Sequence, residues 1–562
     1  MPSSSITDLF AATAPGLESV ALGELKRLGI KGKAEAGGVS FRGDAETMYA
    51  ANLWLRTPGR IVVRLARFHA STFHELERRA KRVPWAAFLP VNGTVRVRAT
   101  CRKSRLYHSD AVAERVLAAI ALAAPGALRA EAQSGAGDDA DQEDLNAREA
   151  DAGVSGAVDG AATPGQLFVV RIVDDECEIS VDASGELLHR RGYRQETGKA
   201  PLRETLAAAM VLASGWKPTE PLIDPLCGSG TIAIEAALLA RGIAPGLRRR
   251  FAFMEWPTFE KERWDKILGQ AQDAAAGKRL ELDILGADRD SGAIEAAARN
   301  AERAGVGGDT RFEVQPLSAS LQELEGLQKP GWILANPPYG VRLGEPDTLG
   351  NLYAKLGSRL KSAEGWRLGI LTSDVALARQ TGLPLRARFS TRNGGISVAF
   401  LAQEKRVAGT LASINISGGG VPKRRVTDAK VSRLGLQGDE QDDKVHHGGP
   451  ERAVCIYSLE RIHALQAEGH PIQVGSVGEN LTVQGVRWES VMPGSRLRIG
   501  DEVQLEITSF NSPCKTIRRS FIDGRFVRIS QKVHPGWSRV CARVIAEGEV
   551  RLGDRVEIPP PG

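Results

Sequence analysis

A predicted strand, a glycine-containing turn and a predicted helix follow one another between residues 222 and 237. The apolar pair Leu222-Ile223 leads into the string DPLCGSGT at 224–231, and an alanine-rich helical pattern starts behind it. Glycines in such a turn let the backbone approach a ligand closely at the carboxyl edge of a parallel sheet. The unit therefore predicts an α/β domain with a ligand site at that edge, although a single Gly-x-Gly is weak support on its own.

A second predicted strand, at 282–287, ends on the acidic residues Asp288 and Asp290. Asp288 is suited to hold both hydroxyls of a ribose, and the alternative role, a helix cap, fits Asp290 better. A dinucleotide-binding enzyme places its ribose acid about 20 residues after the glycines. The gap here is longer because of an insertion at 241–278, whose arginines 248–250 and Trp256 we interpret as a further RNA contact.

A stiff proline loop follows a third apolar run, at 332–335. In Asn336-Pro337-Pro338-Tyr339, the prolines fix φ and remove two backbone donors. The Asn336 side-chain oxygen and the Pro337 carbonyl are then placed to accept both protons of a planar amino group, and Tyr339 offers a face for stacking a flipped base. The alternative is a proline-rich turn with a packing tyrosine.

The N-terminal third alternates predicted strands and helices and carries two basic clusters. Strands at 60–65 and 94–99 have basic residues at alternate positions. The string CRKSRLYH at 101–108 combines cations with an aromatic ring, as phosphate-contacting loops do, and a solvated basic turn is the alternative. The candidate RNA-contacting residues are Arg102, Lys103, Arg105, Tyr107, His108, Arg190, Arg191 and Arg194.

An acidic tract at 133–163 interrupts this region. It holds eight acids against one arginine and no aromatic residue. Such a composition cannot bury enough apolar surface to fold, so the tract is predicted to be a disordered insertion in a surface loop.

This part of the chain resembles the THUMP domain of RNA-modifying enzymes, with the ferredoxin-like segment that precedes it. The resemblance rests on residues 101–108 and on the string AVAERV at 111–116, and it covers most of residues 1–185. It implies a ferredoxin-like segment at 1–45, a THUMP domain at 46–185 and structured RNA as the partner.

The three motifs at 224–231, 286–290 and 336–339 occur in the order that resembles S-adenosylmethionine-dependent methyltransferases acting on exocyclic amines. With the THUMP-like region, the chain up to about residue 405 resembles the ribosomal and transfer RNA guanine-N2 methyltransferases. This implies a Rossmann-like domain with a mainly parallel sheet at 186–405, and 23S ribosomal RNA as the expected substrate. The implied cofactor-binding residues are Asp224, Leu226, Cys227, Gly228, Ser229, Gly230, Thr231, Asp288, Arg289 and Asp290, and the implied catalytic residues are Asn336, Pro337, Pro338 and Tyr339.

One departure from that family pattern concerns the adenine of the cofactor. After the strand at 312–314 the family usually has an aspartate, whereas this chain reads Gln315-Pro316-Leu317-Ser318. Either Ser318 or a backbone group replaces the aspartate, or adenine binding is weakened. No catalytic His or Lys is expected, because a sulfonium is already a good electrophile and catalysis then requires positioning.

The last part of the chain has short predicted strands with glycine turns and resembles a MOSC domain, the β-barrel module of molybdenum cofactor sulfurases. The resemblance covers 409–562 and rests on the strings HGGP at 447–450, GENLT at 478–482 and PCK at 513–515. It implies a molybdenum cofactor site with Cys514 as ligand and, through the sulfurases, an association with pyridoxal phosphate. A half-buried cysteine beside a turn is the alternative.

Composition sets broad limits on the remaining possibilities. The 562 residues include 74 basic and 68 acidic ones, a mild excess that permits nucleic acid as a partner without arguing for it. Six scattered cysteines form no CxxC pair, which excludes a zinc ribbon and suits a reducing compartment. No metal site, signal peptide or membrane span is expected, and the predicted location is the cytoplasm.

Two rival functions stay open at this stage. A methyltransferase acting on adenine N6 or on a protein glutamine would also meet a planar amino group, and adenine cannot be told from guanine by residues 336–339. An RNA-binding protein with a decayed cofactor site is the second rival, and residues 316–317 are its only hint. The sequence predicts no oligomeric state.

Overall fold

The computed structural model describes residues 6–89, 94–123, 129–133, 165–196, 202–277, 281–322, 324, 329–338, 346–363, 365–403, 409–440 and 448–558. Two compact units divide the chain, Met1–Glu404 and Lys405–Gly562.

The first unit contains fifteen strands and eleven α-helices among its described residues. The strands are β1 (Thr7–Ala12), β2 (Gly32–Glu35), β3 (Gly38–Gly43), β4 (Arg60–His69), β5 (Thr94–Arg102), β6 (Arg129–Gln133), β7 (Gln166–Val173), β8 (Glu176–Asp182), β9 (Leu222–Asp224), β10 (Ile284–Asp288), β11 (Arg311–Val314), β12 (Trp332–Ala335), β13 (Arg367–Thr372), β14 (Leu385–Asn393) and β15 (Ile396–Gln403). The helices are α1 (Glu18–Arg27), α2 (Ala45–Trp54), α3 (Phe73–Ala80), α4 (Ser109–Ala123), α5 (Glu204–Ser214), α6 (Thr231–Ala240), α7 (Lys261–Gly277), α8 (Ser291–Ala304), α9 (Leu317–Ser320), α10 (Pro346–Ser362) and α11 (Val375–Arg379).

One eight-stranded sheet, in the order β2-β3-β1-β4-β8-β7-β5-β6, carries the N-terminal part of this unit. Strand β4 pairs with β1 on one side and with β8 on the other, so the ferredoxin-like and THUMP regions share a continuous sheet. In β5, Val95, Val97 and Ala99 are fully buried, and the arginines between them stay partly exposed. This strand confirms the one predicted at 94–99, and the alternation leaves one of its faces buried. Of the predicted disordered tract at 133–163, all but Gln133, the last residue of β6, lies outside the described residues.

The second sheet confirms the predicted Rossmann-like, mainly parallel architecture. Its order is β11-β10-β9-β12-β13-β15-β14. The first five strands run parallel, and β15 pairs antiparallel with both β13 and β14. In a sheet of this kind ligands bind at the carboxyl ends of the central strands. Here those ends belong to β10, β9 and β12.

The insertion after α6 packs onto the N-terminal sheet. Its aromatic residues join the core of that sheet, where Trp256 is 4 % exposed and donates its indole N–H to Gln166 at 2.7 Å. The guanidinium of Arg249 donates to the backbone carbonyls of Leu187 and Glu186 at 2.8 and 2.7 Å. The interpretation of Arg249 and Trp256 as RNA contacts is therefore wrong. The Trp256 ring is buried, and the Arg249 guanidinium is engaged by backbone carbonyls of the protein.

The second unit is a closed barrel, as the sequence predicts. Seven strands close on themselves in the order β16-β21-β20-β24-β23-β22-β26, with β26 pairing back to β16. Closure leaves the barrel without an open edge. Its elements are β16 (Gly409–Ile416), β17 (Arg424–Val426), β18 (Asp428–Ser432), β19 (Gly435–Leu436), β20 (Val454–Ser458), β21 (Leu481–Gln484), β22 (Arg496–Ile499), β23 (Val503–Asn511), β24 (Arg539–Ala546), β25 (Gly548–Arg551), β26 (Arg555–Glu557) and α12 (Leu459–Ala467).

A search of the helices in the described ranges finds none with both the length and the apolar character needed to cross a bilayer.

Candidate functional site

The glycine turn after β9 is fastened to the neighbouring strand β10. Gly228 donates its backbone N–H to the Asp288 carboxylate at 3.0 Å, and Cys227 donates to the Ala287 carbonyl at 2.9 Å. Gly230 has φ +82°, and a Cβ built there would lie 2.9 Å from the Ala297 Cβ. The turn therefore has little freedom, and it holds the backbone close to the carboxyl ends of both strands.

Asp224 ends β9 as a buried carboxyl group. The residue is 1 % exposed, and the carboxyl accepts the Leu226 N–H at 3.2 Å. Burial raises the pKa of Asp224 to about 8, and the nearby Asp288 charge adds to the rise. The group is thus mainly protonated at neutral pH in the free protein, and a cation bound beside it would stabilise the charged form.

Asp288 ends β10 and Asp290 lies just beyond it, and the two carboxylates have different hydrogen-bonding roles. The half-buried Asp288 accepts the N–H groups of Gly228 and Asp290, one on each oxygen, and each oxygen retains a second lone pair for a ligand. Asp290 caps α8, accepting from Gly292 at 2.9 Å and from Ala293 at 3.3 Å. The cap predicted for Asp290 is present.

The other residues predicted around the cofactor lie in the same turn or next to it. Thr231 is buried as the first residue of α6, and Cys227 is buried with its pKa raised well above the ordinary value by desolvation. Leu226 and Ser229 are partly exposed, and Arg289 is exposed. Among these residues, only Leu226, Ser229 and Arg289 expose side-chain surface at this edge of the sheet.

Asn336 lies directly after β12, the strand between β9 and β13. The registers Ile333–Ile223 and Leu285–Ile223 bring the ends of β12, β9 and β10 to one edge of the sheet. The Asn336 side-chain oxygen is buried and finds no hydrogen-bond partner among the described residues. Pro337 is buried and Pro338 is exposed, whereas Tyr339 lies outside the described residues. A buried acceptor without a donor is costly, so a donor from a ligand would be stabilising here.

On the far side of β10, Gln315 follows β11 where the family pattern has an aspartate. Its backbone N–H donates to the Asp288 carbonyl at 2.9 Å. Pro316 then starts the short helix α9, on which Ser318 is exposed. Ser318 thus lies beyond the end of the strand next to β10.

A cavity of about 370 Å³ opens beside the site, where β13 ends. Thr372 is two residues beyond Ile370, which pairs with Ala335, so the cavity begins one strand away from the Asn336–Pro337 loop. Its volume is within the range of small-ligand pockets. Sequence reasoning missed it because its lining combines a loop near the N-terminus with the β14–β15 hairpin. The lining residues are Pro15, Thr372, Ser373, Val375, Ser390, Thr391, Arg392, Ser397, Val398 and Ala399.

The basic loop between β5 and α4 lies at the surface. Arg102, Lys103, Arg105, Tyr107 and His108 are all exposed, and the Tyr107 and His108 ring centroids are 4.0 Å apart. The loop is fixed to the β7–β8 turn, because the Asp175 carboxylate accepts the Arg105 N–H at 2.7 Å.

The second basic cluster divides into exposed and buried members. Arg190 is exposed. Arg191 is 4 % exposed and pairs with the buried Glu235, and Arg194 donates to the Leu202 carbonyl at 2.6 Å with its side chain 11 % exposed. The assignment of Arg191 and Arg194 to an RNA surface is wrong for this folded state, because their guanidinium groups are engaged inside the protein.

In the barrel, Cys514 lies directly before a short 3-10 helix at Lys515–Ser520. It is partly exposed, whereas the other five cysteines are buried. Within the described part of the chain, no group of three or more His, Cys, Asp or Glu side chains is arranged to hold a metal ion.

Four family models match the chain. They are described as the RlmL ferredoxin-like domain at residues 8–62, the THUMP domain at 70–129, the RMKL-like methyltransferase domain at 191–400 and the MOSC domain at 443–557.

Curated relatives match the first unit along most of its length. The chain is 34 % identical over 400 residues to a putative RNA methyltransferase of Synechocystis sp., covering 70 % of this chain and 96 % of the relative. It is 35 % identical over 390 residues to the putative RNA methyltransferase YpsC of Bacillus subtilis, covering 69 % and 94 %. It is 36 % identical over 405 residues to the ribosomal RNA large subunit methyltransferase K/L of Syntrophotalea carbinolica, of which it spans only 53 %.

Solved structures agree with these matches. A putative methyltransferase, SMU.472, complexed with SAH, is 29 % identical with a TM-score of 0.58, covering 71 % of this chain and 97 % of that one. A predicted N6-adenine-specific DNA methylase from Listeria monocytogenes is 32 % identical with a TM-score of 0.57, covering 70 % and 96 %.

Proposed function

The chain belongs to the family of THUMP-containing, RMKL-like RNA methyltransferases, and on that premise we propose that it methylates the exocyclic N2 amine of a guanine in structured RNA, with 23S ribosomal RNA as the expected substrate. The observation that carries the proposal is the buried side-chain oxygen of Asn336, which has no donor among the described residues and lies at the sheet edge that also holds Asp224 and Asp288. A planar amino group would supply a donor to this oxygen.

The described residues fit S-adenosylmethionine. The constrained turn at Gly228 and Gly230 admits the ligand close to the backbone, and Asp288 keeps acceptor capacity for ribose hydroxyls. The buried carboxyl of Asp224 is suited to a cationic part of the ligand. When bound, S-adenosylmethionine supplies a methyl group on an electrophilic sulfonium.

Asn336 and Pro337 would orient the target amine. Accepting both amine protons turns the nitrogen lone pair out of conjugation with the ring, and the rigid prolines hold the acceptors in place. Pro338 stiffens the same loop, and Tyr339 is proposed to stack on the base. The adjacent cavity has the volume to take a neighbouring nucleotide. Solvent can accept the proton released after transfer.

The RNA surface proposed here is the exposed β5–α4 loop, with Arg190 as a further contact. Cations that contact phosphates supply much of the affinity for RNA and make it salt-dependent. Adenine N6 and protein glutamine are the rival targets, and a THUMP domain favours RNA over protein. We place the activity in the cytoplasm, where this substrate is found.

The experiment is nucleoside mapping of 23S ribosomal RNA from cells with and without the gene, by mass spectrometry. Loss of one N2-methylguanosine, restored by the wild-type protein and not by Asn336→Ala, is the expected result. An N6-methyladenosine lost instead would establish the adenine rival. An unchanged map, together with no S-adenosylmethionine binding by calorimetry, would establish the RNA-binding rival.

For the barrel we propose molybdenum cofactor binding with Cys514 as the ligand. The supporting observation is that Cys514 is the only one of the six cysteines that is partly exposed. Metal analysis of protein made with the cofactor present tests the proposal: molybdenum should bind to the wild type and be absent from Cys514→Ala. Absence of molybdenum from the wild-type protein would contradict the proposal and support a structural role for the barrel.

A further inference from the structure

Two cysteines of the barrel lie directly opposite each other on neighbouring strands. Cys455 of β20 pairs with Cys541 of β24 in an antiparallel register. Both are free and buried, 9 % and 3 % exposed. Side chains of directly opposed residues project from the same face of a sheet, so the two sulfur atoms face the same environment.

The backbone bonding shows which type of cross-strand pair this is. Cys455 donates its N–H to the Asn480 side chain at 3.0 Å, and its carbonyl accepts the Asn480 N–H at 2.7 Å. Those groups therefore point away from β24, which makes Cys455 and Cys541 a non-hydrogen-bonded pair. Such pairs have Cα atoms roughly 4.5 Å apart, inside the range of about 4.4–6.8 Å that a disulfide spans. The register is therefore compatible with a bond between the two sulfurs.

Polar side chains lie beside both sulfurs of the pair. Asn511 donates its amide N–H to the Cys455 sulfur at 3.3 Å and accepts from the Arg452 guanidinium at 3.1 Å. The hydrogen bond from Cys455, with Arg452 beside it, lowers the pKa of Cys541 below its ordinary value, and the same bond raises the pKa of Cys455. One thiolate beside one thiol is the arrangement that a reactive dithiol requires.

We propose that Cys455 and Cys541 form a redox-active dithiol, which hydrogen peroxide oxidises to an intramolecular disulfide. The Cys541 thiolate attacks one peroxide oxygen, and the O–O bond breaks to give a sulfenic acid and hydroxide. The Cys455 sulfur then attacks the sulfenic sulfur; its proton leaves with the displaced hydroxyl as water, and the S–S bond forms. In sum, two thiols and one peroxide yield one disulfide and two waters, and a thiol reductant reverses the change.

Buried Cys101 and Cys177 provide a matched control in the other unit. Each of them pairs with Ile172, from the two sides of β7, so one strand separates the two cysteines. Burial raises the pKa of Cys177 to about 12. This pair lacks the directly opposed register, and the Cys177 thiol is held protonated, so the pair should stay reduced under the same treatment.

The test is peroxide treatment of the full-length protein, followed by alkylation and tryptic mass mapping with and without dithiothreitol. Trypsin separates the cysteines into peptides 453–461 and 540–543, and the control cysteines into 99–102 and 172–190. We expect 453–461 linked to 540–543, with the link lost on reduction and absent in Cys455→Ala. Free alkylated cysteines, sulfinic acid at Cys541 without a link, or a link to Cys514 would each overturn the proposal. So would a Cys101–Cys177 link formed at the same rate.

A second variant tests the thiolate separately and keeps both cysteines. Arg452→Gln should slow disulfide formation at pH 7 by roughly threefold or more, because less thiolate is present. Arg452→Lys should retain most of the wild-type rate. Equal rates in Arg452→Gln and the wild type would show that the cation has no part in the reaction and would contradict the proposed mechanism.

Discussion

Arg191 and Glu235 form an ion pair inside the first unit, with side chains 1 % and 0 % exposed. The Glu235 carboxylate also accepts the Tyr193 hydroxyl at 2.9 Å and lies 3.7 Å from the Arg56 guanidinium. Arg56 in turn donates to the carbonyl of Ile243 at 2.6 Å. The N-terminal region and the methyltransferase region therefore share one buried polar network.

Arg191→Ala should destabilise the first unit, whereas Arg190→Ala should not. Removing one partner of a buried ion pair costs about 3 kcal/mol or more, because the remaining charge stays buried. Arg190 is exposed, and an exposed ion pair contributes about 1 kcal/mol at most. Urea unfolding followed by tryptophan fluorescence measures both variants. Equal midpoints for the two would contradict a structural role for Arg191.

Gly230→Ala should destabilise the protein more than Gly215→Ala. Both glycines have positive φ, +82° and +76°, so both substitutions incur roughly 1–2 kcal/mol of backbone strain. At Gly230 the new methyl group also lies 2.9 Å from the Phe312 ring, whereas nothing lies within 4 Å at Gly215. Thermal unfolding should show the larger loss for Gly230→Ala, and calorimetry should show weaker S-adenosylmethionine binding for that variant alone.

These residues also show what a sequence makes predictable. The turn at 224–231 and the Asp290 cap follow from local chemistry, since the deciding partners are neighbours in the chain. Arg191 and Arg190 look alike in sequence, and the partner that buries Arg191 is 44 residues away. The hydrogen-bond partner of the buried Trp256 indole is likewise distant, since Gln166 lies 90 residues earlier in the chain. The sequence therefore predicts an RNA contact for the whole cluster at 190–194, and only the fold separates its exposed member Arg190 from the buried Arg191.

The same limit applies to the two cysteines of the barrel. Cys455 and Cys541 are distant in sequence and lack any motif spacing, so only the register of β20 and β24 brings them together. By contrast, Cys514 was predicted from the string around it, because that signal is local.

Asn336→Ala should slow methyl transfer strongly while S-adenosylmethionine binding persists. Its side-chain oxygen has no donor among the described residues, so removing that oxygen breaks no hydrogen bond within the described part of the chain. By analogy with the removal of one transition-state hydrogen-bonding group, kcat should fall about 100-fold or more. Single-turnover methylation of RNA and calorimetry with the cofactor are the measurements. A variant with wild-type kcat would remove Asn336 from the mechanism.

Replacing Lys103 and Arg105 together by alanine should weaken RNA binding without changing the chemical step. Both side chains are exposed on the β5–α4 loop. Each lost phosphate contact should reduce the slope of log affinity against log salt by about 1. KM for RNA should rise, and kcat should stay the same. Arg42→Ala is the control, since that exposed arginine pairs with Asp8 at 3.0 Å, and its salt slope should equal that of the wild type.

Asp224 should make both stability and cofactor binding depend on pH. Its folded pKa, about 8, is above the ordinary value of 3.8, so between these values the folded state holds a proton that the unfolded state has lost. The contribution of this group to the free energy of unfolding is therefore greatest below about pH 4. It decreases as pH rises toward 8, by up to about 1.4 kcal/mol per pH unit. Asp224→Asn cannot lose a proton there, and its urea midpoint should fall less between pH 5.5 and 8.

Cofactor binding should show the opposite trend with pH. A cationic ligand favours the charged carboxylate, so the affinity of the wild type for S-adenosylmethionine should rise from pH 6 to 8 as less work is needed to remove the Asp224 proton. S-adenosylhomocysteine lacks the sulfonium charge and should show a smaller rise. Calorimetry in buffers of different ionisation enthalpy would detect the released proton. A wild-type affinity as insensitive to pH as that of Asp224→Asn would mean that the carboxyl stays protonated beside the ligand, and the proposed contact would then have to be a neutral hydrogen bond.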